Sequence, residues 1–219
     1  MSLAILCDFD DTTADQNVAH LVLNEFGPQN WRELIEQFHQ GKIAPKEYFE
    51  APFRNLTTEK SVLQAHVRKF ANLRAGFLTL ANFCKDNSVE LGIVTYGLDF
   101  YVEALLQRED LEWIPTFSVG TQFSSSGIKF DYNYTRDDCS KWGNCKCSIV
   151  EQYQESGHRV YYAGDGISDF CPARKTDLVF ARSGLLEMCK KENLRHIELH
   201  DFFEVTKHLE KEIIGENND

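Results

Sequence analysis

Short apolar runs recur along this 219-residue chain, and the segments between them carry apolar residues at helical spacing. Such runs are typical of strands buried on both faces, and strands that alternate with helices favour a parallel sheet covered by helices. We therefore predict an α/β fold. The five predicted strands are Leu3 to Asp8, Val89 to Thr95, His158 to Gly164, Asp177 to Ala181 and Arg195 to Leu199.

The stretch between the first two predicted strands contains helical patterns only. Because no strand interrupts residues 16–75, we predict that they form an inserted helical cap domain, on a core of residues 1–15 and 76–219. Residues 117–134 are rich in Ser, Gly and aromatic side chains. There we expect short antiparallel strands at the edge of the sheet.

Charge and cysteine content exclude several classes of function. The net charge is −11, which disfavours nucleic acid and membrane surfaces as partners. No apolar stretch approaches the ~20 residues that span a bilayer, and the first residues lack the basic flank of a signal peptide. Seven cysteines are an odd number, so we expect free thiols and a cytoplasmic location.

Acidic residues follow the first predicted strand in the sequence Asp8-Phe9-Asp10-Asp11-Thr12. Ligands of parallel sheets bind beyond the carboxyl ends of the strands, and clustered carboxylates there are costly without a cation. Asp8 and Asp10 are two apart, so in an extended segment they point to the same side. One carboxylate can then attack phosphorus while the other transfers protons. The alternative is a cluster of helix N-caps.

A second acidic motif, Gly164 to Asp169, follows the third predicted strand. Its glycines permit a tight turn, and Asp169 lies four residues after Asp165, which is one helical turn. Magnesium prefers a few carboxylates together with water and phosphate oxygens. We predict a Mg²⁺ site formed by Asp8, Asp165 and a backbone oxygen of Asp10. A plain strand-turn-helix with an Asp cap is the alternative.

Two further segments supply groups that bind anions. Thr95 offers a hydroxyl, and we expect the N–H groups of Tyr96 and Gly97 to open a helix, which is an anion-binding arrangement. Lys146 precedes a predicted helix, where the helix dipole disfavours a cation. A lysine there is explained if it faces the acidic centre and neutralises phosphoryl oxygens.

In this order, DFDDT, VTYG, GNCK and GDGISD resemble the four motifs of the haloacid dehalogenase (HAD) superfamily. The resemblance spans Asp8 to Asp169, and the position of the helical insert is similar to that in the phosphoserine phosphatase-like subgroup. It implies a Rossmann-like core, Mg²⁺ and an aspartyl-phosphate intermediate. The expected substrate is a small phosphorylated metabolite, so the chain is predicted to be a phosphatase.

The resemblance also implies roles for individual residues. Asp8 is the expected nucleophile, and Asp10 protonates the leaving oxygen and then activates water. Asp165 binds the metal, and Asp169 orients Lys146 or a metal-bound water. The residues expected to contact substrate are Asp11, Asn17, Thr95, Tyr96, Gly97 and Lys146.

Within the subgroup the chain resembles two branches. One is the methionine-salvage phosphatase that acts on 2-hydroxy-3-keto-5-methylthiopentenyl-1-phosphate, and the other is phosphoethanolamine/phosphocholine phosphatase. Phosphoserine phosphatases carry a glutamate where this chain has Asn17. We expect the first branch, with the second and a phosphoserine-like activity as alternatives.

Readings from other classes stay open at the level of the sequence. A phospho-accepting receiver-like signalling domain also uses a strand-end Asp, a Thr and a Lys, but it has no inserted cap. A scaffold protein with an inactive phosphatase core would lack some of the catalytic groups that this chain has. Zinc sites favour cysteines spaced two to four apart, which Cys145 and Cys147 match poorly. We therefore expect the thiols to be metal-free.

Overall fold

The computed structural model describes residues 2–216, and its strands form one seven-stranded sheet in the order β4-β3-β2-β1-β5-β6-β7. Neighbouring strands run parallel, except that β4 is antiparallel to β3. The strands are β1 (Ser2–Cys7), β2 (Glu90–Leu98), β3 (Thr116–Ser124), β4 (Gly127–Asp131), β5 (His158–Gly164), β6 (Leu178–Ala181) and β7 (His196–Glu198).

Ten α-helices accompany the sheet in the described part of the chain. Four lie within residues 16–75: α1 (Val18–Phe26), α2 (Glu33–His39), α3 (Pro45–Arg54) and α4 (Lys60–Phe70). The others are α5 (Phe77–Asp86), α6 (Asp99–Arg108), α7 (Lys146–Glu155), α8 (Phe170–Ala173), α9 (Ser183–Glu192) and α10 (Phe202–Glu216).

Strand β1 lies at the centre of the sheet because nearly all of its side chains are apolar. Alternate residues point to opposite faces. Ile5 packs in the large core that α5, α6 and α10 cover, and Leu6 packs in a second cluster with α7. Both side chains are fully buried. An apolar run that can be buried on both faces therefore fixes the strand that carries the first acidic motif.

The helices α1 to α4 join the rest of the chain through two adjacent segments. Ala14 and Leu73 form an isolated antiparallel bridge. The N–H of Asp15 donates to Asn72 at 3.0 Å, and the N–H of Arg74 donates to Thr13 at 2.8 Å. These paired segments lie at the boundaries predicted from the sequence, and the division into core and cap stays a prediction.

The predicted α/β class and the five predicted strands are confirmed. Two details differ. β3 runs parallel to β2, so only β4 provides the antiparallel pairing expected for residues 117–134. β2 continues past Thr95 to Leu98, with a register shift after Val94, because its side chains stay buried there. None of the helices within residues 2–216 has the length and apolar character of a membrane span.

Candidate active site

Asp8 follows the last residue of β1, and a tight turn carries the chain away from it. Asp8 is 5% exposed, and its backbone oxygen accepts from the N–H and the hydroxyl of Thr13, at 3.2 and 2.7 Å. Asp11 adopts φ +58°, a left-handed conformation that aspartate tolerates better than most residues. The sequence of the motif thus produces a turn that leaves the Asp8 carboxylate at the tip of the central strand.

Lys146 joins the first acidic motif to the second. It is the first residue of α7 and is 2% exposed. Its Nζ lies 2.7 Å from Asp8 Oδ1 and 2.7 Å from Asp169 Oδ1. Burial lowers the pKa of Lys146, but the carboxylates of Asp169 and Asp8 raise it above its usual value. The lysine therefore stays charged between two buried carboxylates.

Asp169 is fully buried and accepts four hydrogen bonds. Lys146 and the hydroxyl of Tyr162 each donate to Oδ1 at 2.7 Å. The N–H groups of Asp165 and Gly166 each donate to Oδ2 at 3.1 Å. This carboxylate thus holds the lysine and the turn after β5 in one arrangement.

Gly164 is required for the close approach of this carboxylate. A Cβ at Gly164 would lie 2.7 Å from Asp169 Cγ, whereas one at Gly166 would meet nothing within 4 Å. The first glycine of the predicted motif is therefore a packing requirement.

Asp165, at the end of β5, completes an acidic cluster. One oxygen from each of Asp8, Asp165 and Asp169 lies within 4.8 Å of the others. Burial, then repulsion by Asp169 and Asp11, raises the pKa of Asp165 to about 7. Burial also raises the pKa of Asp8, which Lys146 opposes.

Buried carboxylates that repel one another at this distance fit a divalent cation, and oxygen donors are what Mg²⁺ prefers. Both oxygens of Asp169 are occupied by donors, so Asp8 and Asp165 are the carboxylates suited to bind the metal. The backbone oxygen of Asp10, also predicted as a ligand, stays a prediction.

The Asp10 side chain is held by three donors. The N–H groups of Val18 and Ala19, at the start of α1, donate to Oδ1 at 2.7 and 3.3 Å. The hydroxyl of Tyr101 donates to Oδ2 at 3.0 Å. Burial raises the pKa of Asp10 to about 6, although the hydrogen bonds from Val18 and Tyr101 lower it. A carboxyl group with this pKa can both give and take a proton near neutral pH.

The expectation that Tyr96 and Gly97 open a helix is wrong. Both residues belong to β2, and α6 begins only at Asp99. The N–H of Gly97 already donates to the Thr95 hydroxyl at 2.9 Å. Because β2 is irregular at this point, these residues line the cavity from a distorted strand end rather than from a helix N-terminus.

One cavity brings together the predicted site residues, except that Asp169 lies behind its wall. Much of the remaining lining is aromatic. Phe38 stacks on Tyr48 at 4.8 Å between ring centroids, and Tyr96 stacks on Trp142 at 5.2 Å. The lining residues contributed by α1 to α3 and the segments around them are Asn17, Ala19, His20, Leu23, Trp31, Phe38, Tyr48, Phe49, Pro52 and Phe53.

Asn17 and Asp11 both line the cavity but are already engaged. Asn17 caps α1 by accepting from the N–H of His20 at 2.9 Å, and its amide donates to Asp11 Oδ2 at 3.2 Å. A substrate role for either residue stays a prediction.

Several residues around the site were not predicted from the sequence. Tyr101 and Tyr162 bind the acidic side chains. Arg74 and Arg182 both donate to the Asp11 backbone oxygen, at 2.6 and 2.9 Å. Arg74 also donates to Thr12 and Ala14. No spacing rule marks these residues, and the partners of Tyr101, Arg74 and Arg182 are distant in sequence.

The model of a family described as "Putative Phosphatase" matches residues 3–208. A 2-hydroxy-3-keto-5-methylthiopentenyl-1-phosphate phosphatase from Bacillus velezensis is 33% identical over 216 residues, covering 97% of this chain and 91% of the relative. An enzyme with the same name from Brevibacillus brevis is 28% identical over 219 residues, covering 97% of this chain and 98% of the relative.

Solved structures share the fold. A phosphoserine phosphatase captured as an analogue of its phospho-aspartyl intermediate has a TM-score of 0.71 and 16% identity, covering 94% of this chain and 98% of that chain. A HAD family hydrolase from Salmonella enterica serovar Typhi has a TM-score of 0.72 and 18% identity, covering 91% and 68%. At these identities the likeness shows the fold alone, and it confirms the predicted fold class.

Proposed function

We propose that this chain, which belongs to the "Putative Phosphatase" family and has the HAD fold, hydrolyses a small phosphomonoester through a phosphate carried on Asp8. The single observation that supports this most is the contact of Lys146 with Asp8 and Asp169, at 2.7 Å each, beside the Asp165 carboxylate. The family match and the helices inserted before β2 favour a phosphatase over the receiver-like alternative.

Asp8 is the proposed nucleophile because it is the strand-end carboxylate that contacts the lysine. Its oxygen attacks phosphorus, and the bond to the leaving oxygen breaks. Lys146 holds Asp8 in place and neutralises charge that develops on the phosphoryl oxygens. Asp169 is the proposed positioning residue for the lysine. Thr95, Tyr96 and Gly97 are proposed to contact the phosphate from the end of β2.

Asp10 is the proposed acid and base. In its protonated form it gives a proton to the leaving oxygen, and the resulting carboxylate then takes a proton from the water that attacks the phosphorylated Asp8. The pKa of about 6 suits both steps near neutral pH. Tyr101 and the start of α1 orient the carboxyl group.

Asp8 and Asp165 are proposed to hold Mg²⁺, with a backbone oxygen of Asp10. When bound, the ion supplies positive charge that neutralises the carboxylates and the phosphate oxygens. The chain's own contribution is to keep the two carboxylates close at the tips of β1 and β5.

The lining of the cavity supports a substrate with an uncharged tail, as in the methionine-salvage reaction named for the relatives. Within the described chain, residues 16–75 contribute aromatic, aliphatic and amide groups to this lining and no carboxylate, lysine or arginine. Phosphoserine carries an ammonium and a carboxylate, which such a wall leaves unpaired. A thioether packs favourably against aromatic rings.

Phosphocholine is the second candidate, because stacked aromatic rings also attract a quaternary ammonium group. The tail of phosphocholine is cationic and the thioether tail is uncharged, but both pack against aromatic rings. His20 also lines the cavity and hydrogen-bonds to Tyr48 at 3.1 Å, and burial lowers its pKa. A neutral imidazole favours neither tail by charge.

The test measures kcat/KM with Mg²⁺ for 2-hydroxy-3-keto-5-methylthiopentenyl-1-phosphate, phosphocholine, phosphoethanolamine and phosphoserine. We expect the thioether substrate to exceed phosphoserine by at least about 100-fold, since unpaired buried charges cost several kcal/mol. Asp8→Asn should abolish turnover of every substrate, whereas Asp138→Asn, at an exposed ion pair, should not. Preference for phosphoserine would contradict the proposed tail, and turnover by Asp8→Asn would contradict the proposed nucleophile.

The helices α1 to α4 are proposed to act as the cap that closes over this tail. The stacked pairs support this, because Phe38 of the cap also contacts Trp142 of the core, edge to face, at 6.4 Å. A cytoplasmic location, consistent with the seven free thiols, stays a proposal.

A further inference from the structure

Two cysteines meet directly behind the buried ion pair, and the proposed mechanism uses neither. Cys147 follows Lys146 on α7, and Cys171 lies two residues after Asp169 on α8. The Cys147 thiol donates to the Cys171 sulfur, with 2.7 Å between the sulfurs. A disulfide bond measures about 2.05 Å, so only a small movement separates this contact from a covalent bond.

We propose that Cys147 and Cys171 form a modification site at which a hydroperoxide, such as hydrogen peroxide, converts the thiol pair into a reversible disulfide.

The two thiols differ in their access to solvent. Cys171 is exposed, whereas Cys147 is 3% exposed. Burial raises the pKa of Cys147 well above its usual value, and its hydrogen bond to Cys171 raises it further. An oxidant dissolved in water can reach the exposed sulfur but not the buried one. Cys171 is therefore the site of attack, and Cys147 is the resolving partner.

The reaction balances with one hydroperoxide. The Cys171 sulfur attacks a peroxide oxygen, the O–O bond breaks, and Cys171 becomes a sulfenic acid while the peroxide is reduced to water. The Cys147 sulfur then attacks the Cys171 sulfur. The S–S bond forms, the S–O bond breaks, and the oxygen leaves as water with the Cys147 proton. A small thiol in excess reverses the reaction by exchange.

The bond would tie together the segments that carry Lys146 and Asp169. Because the sulfurs already touch, closing the bond shortens the distance between them by only about 0.7 Å. The ion pair of Lys146 with Asp169 is then preserved. We therefore expect the oxidised enzyme to remain active and to resist unfolding, since a bond between residues 24 apart restricts the unfolded chain.

Two further thiols provide an internal comparison. Cys139 is half-buried and lies near Cys145, which is buried. Cys145 directly precedes Lys146, as Cys147 directly follows it. If proximity to the lysine alone governed oxidation, Cys145 would react as readily as Cys147. The disulfide is expected between Cys147 and Cys171 because their sulfurs are in contact.

The experiment treats the reduced, Mg²⁺-loaded full chain with stoichiometric hydrogen peroxide, blocks the remaining thiols and determines the linked peptides by mass spectrometry. We expect the intact mass to fall by two hydrogen atoms and the linked peptides to contain Cys147 and Cys171. Cys139→Ser should form the same disulfide. In Cys147→Ser, a sulfenic acid at Cys171 should be trapped by dimedone.

Activity and stability are read on the same oxidised sample. We expect kcat to stay within about twofold of the reduced enzyme, since the ion pair is unmoved, and the urea midpoint to rise. Dithiothreitol should restore the reduced midpoint. A disulfide through Cys139 or Cys145, or oxidation of Cys171 to sulfinic acid without any disulfide, would overturn the proposal. The wild-type peptide map decides this even if a variant fails to fold.

Discussion

Replacing Asp169 by asparagine removes one charge from the buried ion pair without changing the size of the side chain. The aspartate accepts from two donors on each oxygen: Lys146 and Tyr162 on one, and two backbone N–H groups on the other. Asparagine has one oxygen and one NH₂ group, so in either orientation its NH₂ faces two donors. Breaking a buried ion pair in this way costs about 3–5 kcal/mol.

Urea denaturation without added Mg²⁺ measures this cost. Since the denaturant slope is about 2–3 kcal/mol per molar for a domain near this size, the midpoint of Asp169→Asn should fall by about 1–2.5 M. The matched control is Asp138→Asn. Asp138 pairs with Arg136 at 3.0 Å but is 67% exposed, and exposed pairs are worth about 0–1 kcal/mol.

The same variant should lose activity, because Lys146 then has Asp8 as its remaining carboxylate partner and is no longer held from the Asp169 side. We expect kcat to fall at least about 100-fold, the effect of losing one preorganised charged contact. A loss of stability no larger than that of Asp138→Asn would refute the reasoning. It would mean that Asp169 does not hold the lysine in the folded protein.

Three further predictions concern neighbouring groups. Gly164→Ala should lower the free energy of unfolding by about 1–3 kcal/mol, because the added Cβ would overlap the Asp169 carboxylate. Gly166→Ala should change the free energy of unfolding by less than about 0.5 kcal/mol, and urea denaturation distinguishes the two variants. Tyr101→Phe removes a donor to the Asp10 carboxylate, so the pKa of Asp10 should rise from about 6 by about one unit. Dephosphorylation needs the ionised form of Asp10, so its rate in quenched-flow experiments should reach half its maximum at a correspondingly higher pH. Because a proton competes with the metal at Asp165, Mg²⁺ affinity measured by calorimetry should fall as pH drops below about 7 and level off above it, and a pH-independent affinity would contradict this.

The parts of the fold that depend on local patterns were predictable from the sequence. β1 and β5 are apolar runs buried on both faces, so their positions and the acidic tips that follow them could be located. An anionic partner for Lys146 was also indicated, because the helix dipole disfavours a lysine at a helix start that has no anion nearby. The Asp8–Lys146 contact then follows from the topology of a parallel sheet.

Features that depend on distant partners were not predictable. The end of β2 was placed too early, at Thr95, because Tyr96 and Gly97 were expected to open a helix, yet burial keeps the chain extended to Leu98. Tyr101 is one of two buried aromatic residues on α6, and nothing in its spacing shows that its hydroxyl donates to Asp10. Such contacts arise from packing between elements, which a single sequence does not encode at short range.

The phosphorylated residue can be identified directly by quenching a reaction in acid and analysing the peptides at low pH. Asp10→Asn is the enzyme to use with an aryl phosphate, whose leaving oxygen departs without a proton, because loss of the proposed base should then slow hydrolysis of the intermediate more than its formation and let it accumulate. We predict phosphate on Asp8, in an amount approaching one per enzyme molecule, and none in a variant that also carries Asp8→Asn. Phosphate on another side chain, or rapid turnover by Asp8→Asn, would contradict the account.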